Sequence, residues 1–269
     1  MADQPVRGTG ELLRPGSLGG LKIVKAGDYH GPERALIYGA NSVGKTPLLA
    51  SANKVECFAP TLIINIDSGA KSLANLYPDT DVISPRNFEE FDKLFQSLYE
   101  LFDRKRCPYK SICVDGTTTA QLKGIDYLYR KENANMSFAE FTTAELANGG
   151  WVKSTRQMEK MFGLFRDLPV HLFMTAWAED IAPAPEKIGQ KAPPYYVPDF
   201  TKKLRSIACG SFDSILYMYL AVHPNTGVAT RTLRTRAHKS AMARDRGDRL
   251  PETISNPTME LLAKHWGLL

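Results

Sequence analysis

The chain has 269 residues, 43% of them hydrophobic and 23% charged, which suits one large domain or two small ones with a sizeable core and excludes bulk disorder. No apolar run approaches the roughly 20 residues that a membrane-crossing helix needs, and Met1-Ala2-Asp3-Gln4-Pro5 lacks the basic and apolar parts of a secretory signal, so neither bilayer nor export is expected. The formal net charge is +5, and the segment Arg231–Arg249, with seven Lys or Arg against two Asp, carries a local excess of the same size.

Residues 1–20 hold Gly8, Gly10, Pro15, Gly16, Gly19 and Gly20 without a periodic apolar face; they read as a flexible N-terminal arm, with ordered structure starting near Leu21. From there β-type runs alternate with helical patterns. Ala35–Tyr38, Thr61–Ile66, Ser111–Val114, Val170–Ala176 and Ser214–Leu220 are short and nearly continuously apolar, as strands covered on both faces are. Lys45–Asn53, Asn87–Arg104 and Trp151–Arg166 are the helix candidates; in the second, Phe88, Phe91, Leu94, Phe95, Leu98, Leu101 and Phe102 recur at helical spacing. The alternation predicts an α/β domain over residues 21–251, with a mostly parallel sheet and helices on both faces. His223-Pro224-Asn225-Thr226-Gly227, between Leu216–Val222 and Val228–Arg236, predicts a C-terminal antiparallel hairpin, and residues 252–269 read as a helical tail. Two connections are long for such a fold: Gln121–Gly150, read as a helical excursion, and the Pro-rich Glu179–Lys203. Cys57, Cys107, Cys113 and Cys209 have neither CxxC nor zinc-ligand spacing and read as reduced thiols of a cytoplasmic protein.

The sharpest chemical signal follows the first long strand candidate. Gly39-Ala40-Asn41-Ser42-Val43-Gly44-Lys45-Thr46 matches GxxxxGK[ST] and leads into a helix. Two glycines let the backbone curl so that successive N–H groups face phosphate, Lys45 would reach the β- and γ-phosphates, and the Thr46 hydroxyl would ligate magnesium. Pro47 completes the phosphate-binding stretch in the first helical turn, where its missing N–H is tolerated. Ile112-Cys113-Val114-Asp115 delivers a carboxylate at the end of an apolar strand; Asp115 reads either as the second magnesium ligand or as the cap of a following helix. Asp67, at the end of Thr61–Asp67, reads as a group that orients or deprotonates water, or as a turn former. Thr175 ends another strand and is a candidate γ-phosphate contact, while the neighbouring Trp177 also suits a core anchor.

The order of these features resembles the RecA-like ATPase core. More closely, Gly39–Thr46, Ile112–Asp115, Val170–Thr175, Phe212–Tyr217 and Arg244–Pro251 resemble phage-type P-loop nucleotide-binding proteins that include the Sak-type single-strand annealing ATPases, over Leu21–Pro251. The resemblance implies a RecA-like, ATP- and magnesium-binding protein that binds single-stranded DNA, promotes annealing or recombination in a phage or prophage, and assembles into rings or filaments, with a single-strand binding protein as a further partner. It places Lys45, Asp67 and Thr175 in the catalytic positions and Thr46 and Asp115 on magnesium. Recombinases carry Glu where this chain has Asp67, which implies slow hydrolysis. In the matching DNA loops, Lys187, Lys191, Lys202 and Lys203 would pair with phosphates and Tyr195 and Tyr196 would stack on bases; the same residues also read as a solvated, Pro-stiffened loop whose tyrosines pack on the domain. Lys239, Arg244 and Arg246 are candidates for cations given in trans to a neighbour's nucleotide, whereas Arg231 and Arg234 read as a solvated edge. The implied location is the cytoplasm, the host's if the chain is phage-encoded. Two other classes remain open: a small-molecule or nucleotide kinase, although Glu179–Lys203 has no lid arginine, and a nucleotide-gated oligomeric adaptor with vestigial hydrolysis.

Overall fold

The computed structural model describes residues 17–18, 21–25, 31–67, 69–132, 150–181, 193–223 and 225–269. Two units separate, Met1–Gly31 and Pro32–Leu269. In the first, β1 (Ser17–Leu18), within the stretch expected as an arm, pairs antiparallel with β2 (Leu21–Lys22).

The second unit is built on one mixed sheet. Its strands are β3 (Arg34–Gly39), β4 (Thr61–Asn65), β5 (Asp81–Ile83), β6 (Ser111–Asp115), β7 (His171–Asp180), β8 (Tyr196–Pro198), β9 (Ser214–Val222), β10 (Ala229–Arg234), β11 (Arg244–Asp245) and β12 (Thr253–Ser255). Its helices are α1 (Lys45–Ala50), α2 (Phe88–Asp103), α3 (Thr117–Glu132), α4 (Gly150–Arg166), α5 (Lys202–Ser211) and α6 (Met259–Trp266). The order β12-β10-β9-β3-β7-β6-β4-β5 is parallel from β9 to β5, and β10 and β12 add an antiparallel margin. The sequence expectation of a mostly parallel α/β sheet ending in an antiparallel hairpin is met, with β8 and β11 as short antiparallel additions to β7 and β9.

The two-residue period of a strand sends alternate side chains to opposite faces, and here both faces are covered. Leu62 and Ile64, Ile112 and Val114, and Leu172 and Met174 enter one core with α2, α4 and α5. Ile63, Cys113 and Phe173 enter the other with α1 and α6. Continuous apolarity in β4 and β6 therefore reflects burial on both sides. Helix α2 buries Phe88, Phe91, Phe95 and Leu98, and Asn87 caps it by accepting a hydrogen bond from the Glu90 amide at 2.9 Å.

Residues 252–269, expected as a helical tail, are part of this unit. Ile254 of β12 lies opposite Leu233 of β10, and α6 buries Met259, Leu262, Ala263 and Trp266, the indole stacking on Phe173 at 6.0 Å. Apolar residues at three- and four-residue spacing leave that helix no stable position away from the sheet.

His171, at the start of β7, uses Nδ1 to accept the Glu33 amide at 3.0 Å, and its ring packs edge-on against Phe58. Burial, with a smaller push from Arg34, lowers its pKa to about 4. Between pH 6.5 and 4 the unfolded chain takes up a proton that the folded chain refuses. Stability present at neutral pH is therefore lost as pH falls through that window, by on the order of 2 kcal/mol. Urea midpoints at pH 7.5 and 5 should show this loss, and His171→Gln should remove most of it.

Candidate functional site

The carboxyl ends of β3, β4, β6 and β7 meet on one edge of the sheet. Gly39 lies opposite both Met218 and Trp177, and Asn65 lies opposite Asp115. A Cβ on Gly39 would sit 2.2 Å from the Met218 carbonyl oxygen, so only glycine lets the loop leave β3 beside β9. The loop then passes through Ser42 at φ 61° and Gly44 at φ 106° before α1 begins. The left-handed step at Gly44 is one that residues with a Cβ rarely take.

Lys45 is buried, 8% exposed, and its Nζ donates to the carbonyls of Gly39 and Ala40, both at 2.8 Å. Burial lowers its pKa, while the charges of Asp115 and Asp67 oppose the shift. The lysine thus lies in the field of both carboxylates, inside the loop its own motif forms.

Thr46 Oγ1 donates to Asp115 Oδ2 at 2.6 Å, and Thr175 Oγ1 donates to Asp115 Oδ1 at 2.6 Å. Burial raises the Asp115 pKa, with the hydrogen bonds from Thr175 and Thr46 working against it. A Cβ on Gly69 would lie 2.8 Å from Thr46 Oγ1 and 3.1 Å from Asp115 Oδ2, so glycine keeps space open beside this oxygen pair. Hard oxygen donors next to a phosphate loop suit magnesium, which takes one or two protein oxygens together with substrate phosphates. The residues present fit nucleotide and magnesium.

Thr175 occupies a different place from the one its strand-end position suggested. It is fully buried; besides donating to Asp115 it accepts the Gly116 amide at 2.9 Å, and its carbonyl accepts the Thr117 hydroxyl at 2.6 Å. Its hydroxyl donates to Asp115 and so positions that carboxylate. Asp67, at the tip next to Asp115, accepts from Trp177 Nε1 at 3.0 Å and from the Thr119 hydroxyl. Trp177 is therefore more than a core anchor. Gly116, at φ 103°, has no room for a Cβ because Asp67 Cγ would lie 2.6 Å away.

The basic segment resolves into pairs. Arg234 meets Glu252 at 2.9 Å, Arg236 meets Asp248 at 2.8 Å and Arg249 meets Glu33 at 2.7 Å. Arg244 donates to the Cys209 and Phe212 carbonyls at 2.6 and 2.8 Å, and Arg246 meets Asp213 at 3.1 Å. These last two, expected as trans cations, close the end of α5 by β11, which pairs with the start of β9 at the sheet edge away from Gly39. Lys239 is exposed. Arg231 is exposed, as a solvated edge requires, and its side chain also reaches Gly44: a Cβ there would come within 2.9 Å of its Nε. No sequence spacing announces this approach, because it depends on β10 lying two strands from β3.

Of the residues expected on DNA, Lys187 and Lys191 lie outside the described residues. Lys202 and Lys203 are exposed at the start of α5. Tyr195 is half-buried. Tyr196 stacks on Tyr217 at 5.3 Å, and Tyr217 stacks on Tyr219 at 5.4 Å, a ladder that the loop reading missed because two of its rings belong to β9.

Two cavities matter for placing the chemistry. A cavity of about 660 Å³ lies between α2, α3 and α4, lined by aromatics such as Phe91 and Phe95 and by none of the phosphate-loop or strand-tip residues. A smaller one of about 230 Å³ touches Gly44 and Pro47. The converging lysine, threonine and carboxylates make the loop edge the site, whatever the volumes.

A family model described as an AAA domain matches residues 32–247. The chain belongs to the AAA domain family. This AAA domain covers the P-loop, both carboxylate-tipped strands and most of the basic segment. No curated protein matches the sequence. Among solved structures, the AAA domain is similar to the crystal structure of the KaiC-like protein PH0186 from the hyperthermophilic archaeon Pyrococcus horikoshii OT3, at 11% identity and a TM-score of 0.43, over 83% of this chain and 88% of that one. No helix among the described residues of the AAA-domain protein is long and apolar enough to cross a membrane.

Proposed function

We propose that the protein is a slow, DNA-stimulated ATPase that binds single-stranded DNA and promotes its annealing or recombination, in the host cytoplasm of a phage or prophage, as a ring or filament of identical subunits and alongside a single-strand binding protein. The Lys45, Thr46, Asp115 and Asp67 constellation supports the ATPase half. Lys45 would hold the β- and γ-phosphates, and Thr46 and Asp115 would hold magnesium, which neutralises phosphate charge when bound. Asp67 would take the proton of the attacking water. Both of its oxygens already accept hydrogen bonds, and Asp is one methylene shorter than Glu, so slow hydrolysis follows.

The observation that carries the DNA half is the ladder Tyr196, Tyr217, Tyr219. Aromatic faces on a sheet surface stack bases without sequence preference, and these three half-buried rings keep part of their area exposed. The ladder touches the phosphate-loop strand: Tyr38, one residue before Gly39, packs on Tyr217 at 5.1 Å, and its hydroxyl lies 3.0 Å from the Tyr196 carbonyl. Lys202 and Lys203 stand nearby in sequence, and Glu179, which would weaken their field, is paired with Arg205. Fluorescence anisotropy of a labelled single-stranded oligonucleotide at low salt should report binding that MgATP strengthens. No binding with or without MgATP would remove the DNA half.

Trp177 acts here as a positioning residue. Trp177→Phe keeps the apolar packing and removes the bond to Asp67, so kcat should fall about tenfold with KM unchanged. An unchanged kcat would take Asp67 out of the mechanism.

A further inference from the structure

Pro47 is the third residue of α1. In a helix's first turn the backbone amides have no internal partner, and in a phosphate loop they turn toward the anion. The Leu48 amide already bonds the Gly44 carbonyl at 3.1 Å. Proline therefore leaves only Lys45 and Thr46 as free amide donors in this turn, one fewer than any other residue would.

Arg231 stands over the same place. A Cβ on Gly44 would meet its Nε at 2.9 Å, Cδ at 3.1 Å and Cζ at 3.3 Å, so the guanidinium lies against the turn. Gly44, Pro47 and Arg231 line one cavity of about 230 Å³, whose other walls include Tyr77, Asn256 and Thr258. The backbone of Arg231 is held between β9 and β12, with its carbonyl accepting the Asn256 amide at 2.7 Å. Its side chain has no hydrogen bond or ion pair among the described residues, whereas Arg234, Arg236, Arg244, Arg246 and Arg249 are all engaged. An unpaired cation with five N–H donors thus faces the turn that lost a donor.

We infer that Arg231, acting within its own subunit, supplies the hydrogen bond and charge that Pro47 cannot, by contacting the sugar-linked phosphate of a nucleotide seated in the loop. Lys45 serves the outer phosphates, so the missing amide falls toward the nucleoside end, where the cavity continues. The inference rests on the nucleotide-binding reading above and adds to it a residue that the motif does not contain.

The test is a double-mutant cycle read by calorimetric titration with MgADP. Arg231→Gln should weaken binding about tenfold, the worth of one charge-assisted hydrogen bond. In a Pro47→Ala background, where the amide returns, the same change should cost less than about threefold. Arg231→Lys, which keeps the charge, should fall between, and matched thermal unfolding curves show that each variant is folded. Folded wild-type protein that does not bind MgADP would end the nucleotide reading itself. Wild-type binding with Arg231→Gln within about twofold, or a tenfold loss unchanged by Pro47→Ala, would overturn this inference alone.

Discussion

Lys45→Met is expected to lower ATP turnover by about 10²–10³-fold, the scale seen when one preorganised donor is removed from developing charge. The side chain is the cation in the loop, and it lies where two carboxylates act on it. Loss of the ammonium leaves the phosphates facing Asp115 and Asp67 without a counter-charge. The fold should tolerate the change. Burial already works against the charged lysine, the methionine stem fills similar space, and of the two carbonyls that lose a donor, Gly39 is buried while Ala40 is exposed. Steady-state phosphate release, with thermal unfolding as control, reads both parts. Turnover within about threefold of wild type would remove Lys45 from the chemistry.

Asp115→Asn should cut magnesium-dependent hydrolysis by about 10²-fold or more, because a neutral amide is a poor ligand for a hard cation. The same substitution should stabilise the protein by about 1 kcal/mol near pH 7, a rise of a few degrees in melting temperature. Burial raises the pKa of this carboxyl. The fold therefore binds its proton more tightly than the unfolded chain does, and Asp115 favours folding most at low pH. That contribution is lost as pH rises from the ordinary aspartate range through the raised value. The amide retains partners for Thr46 and Thr175 without the desolvated charge. Function and stability should move in opposite directions, as happens where a site holds a costly group. Turnover lost together with stability would mean that Asp115 is a structural cap.

Much of this arrangement could be read from residue types, since local chemistry dictates it. The apolar Ile112-Cys113-Val114 run ends at Asp115 as expected, the Phe periodicity of α2 places its buried face, and GxxxxGK[ST] marks the turn before α1. What escaped depends on contacts far apart in sequence. Helix α5 buries only Leu204 and Ala208, too few positions to show a period directly after a Pro-rich stretch. Thr175 reads as a strand end but is the fifth of ten residues in β7, and its hydroxyl's direction depends on Asp115, 60 residues away. Arg231 and Arg234 looked equivalent on one strand, yet Arg234 finds Glu252 while Arg231 finds the phosphate turn. Alternation along a strand gives a face; which neighbour occupies that face is a matter of sheet order.

The central claim is that the loop from Gly39 to Pro47 holds a nucleoside triphosphate with magnesium. Calorimetric titration of the wild-type protein with ATP, with and without magnesium, tests it most directly. Saturable binding at one site per chain is predicted, with Kd on the order of micromolar, strengthened by magnesium and abolished by Lys45→Met. Absence of heat at millimolar MgATP from a protein shown to be folded would contradict it.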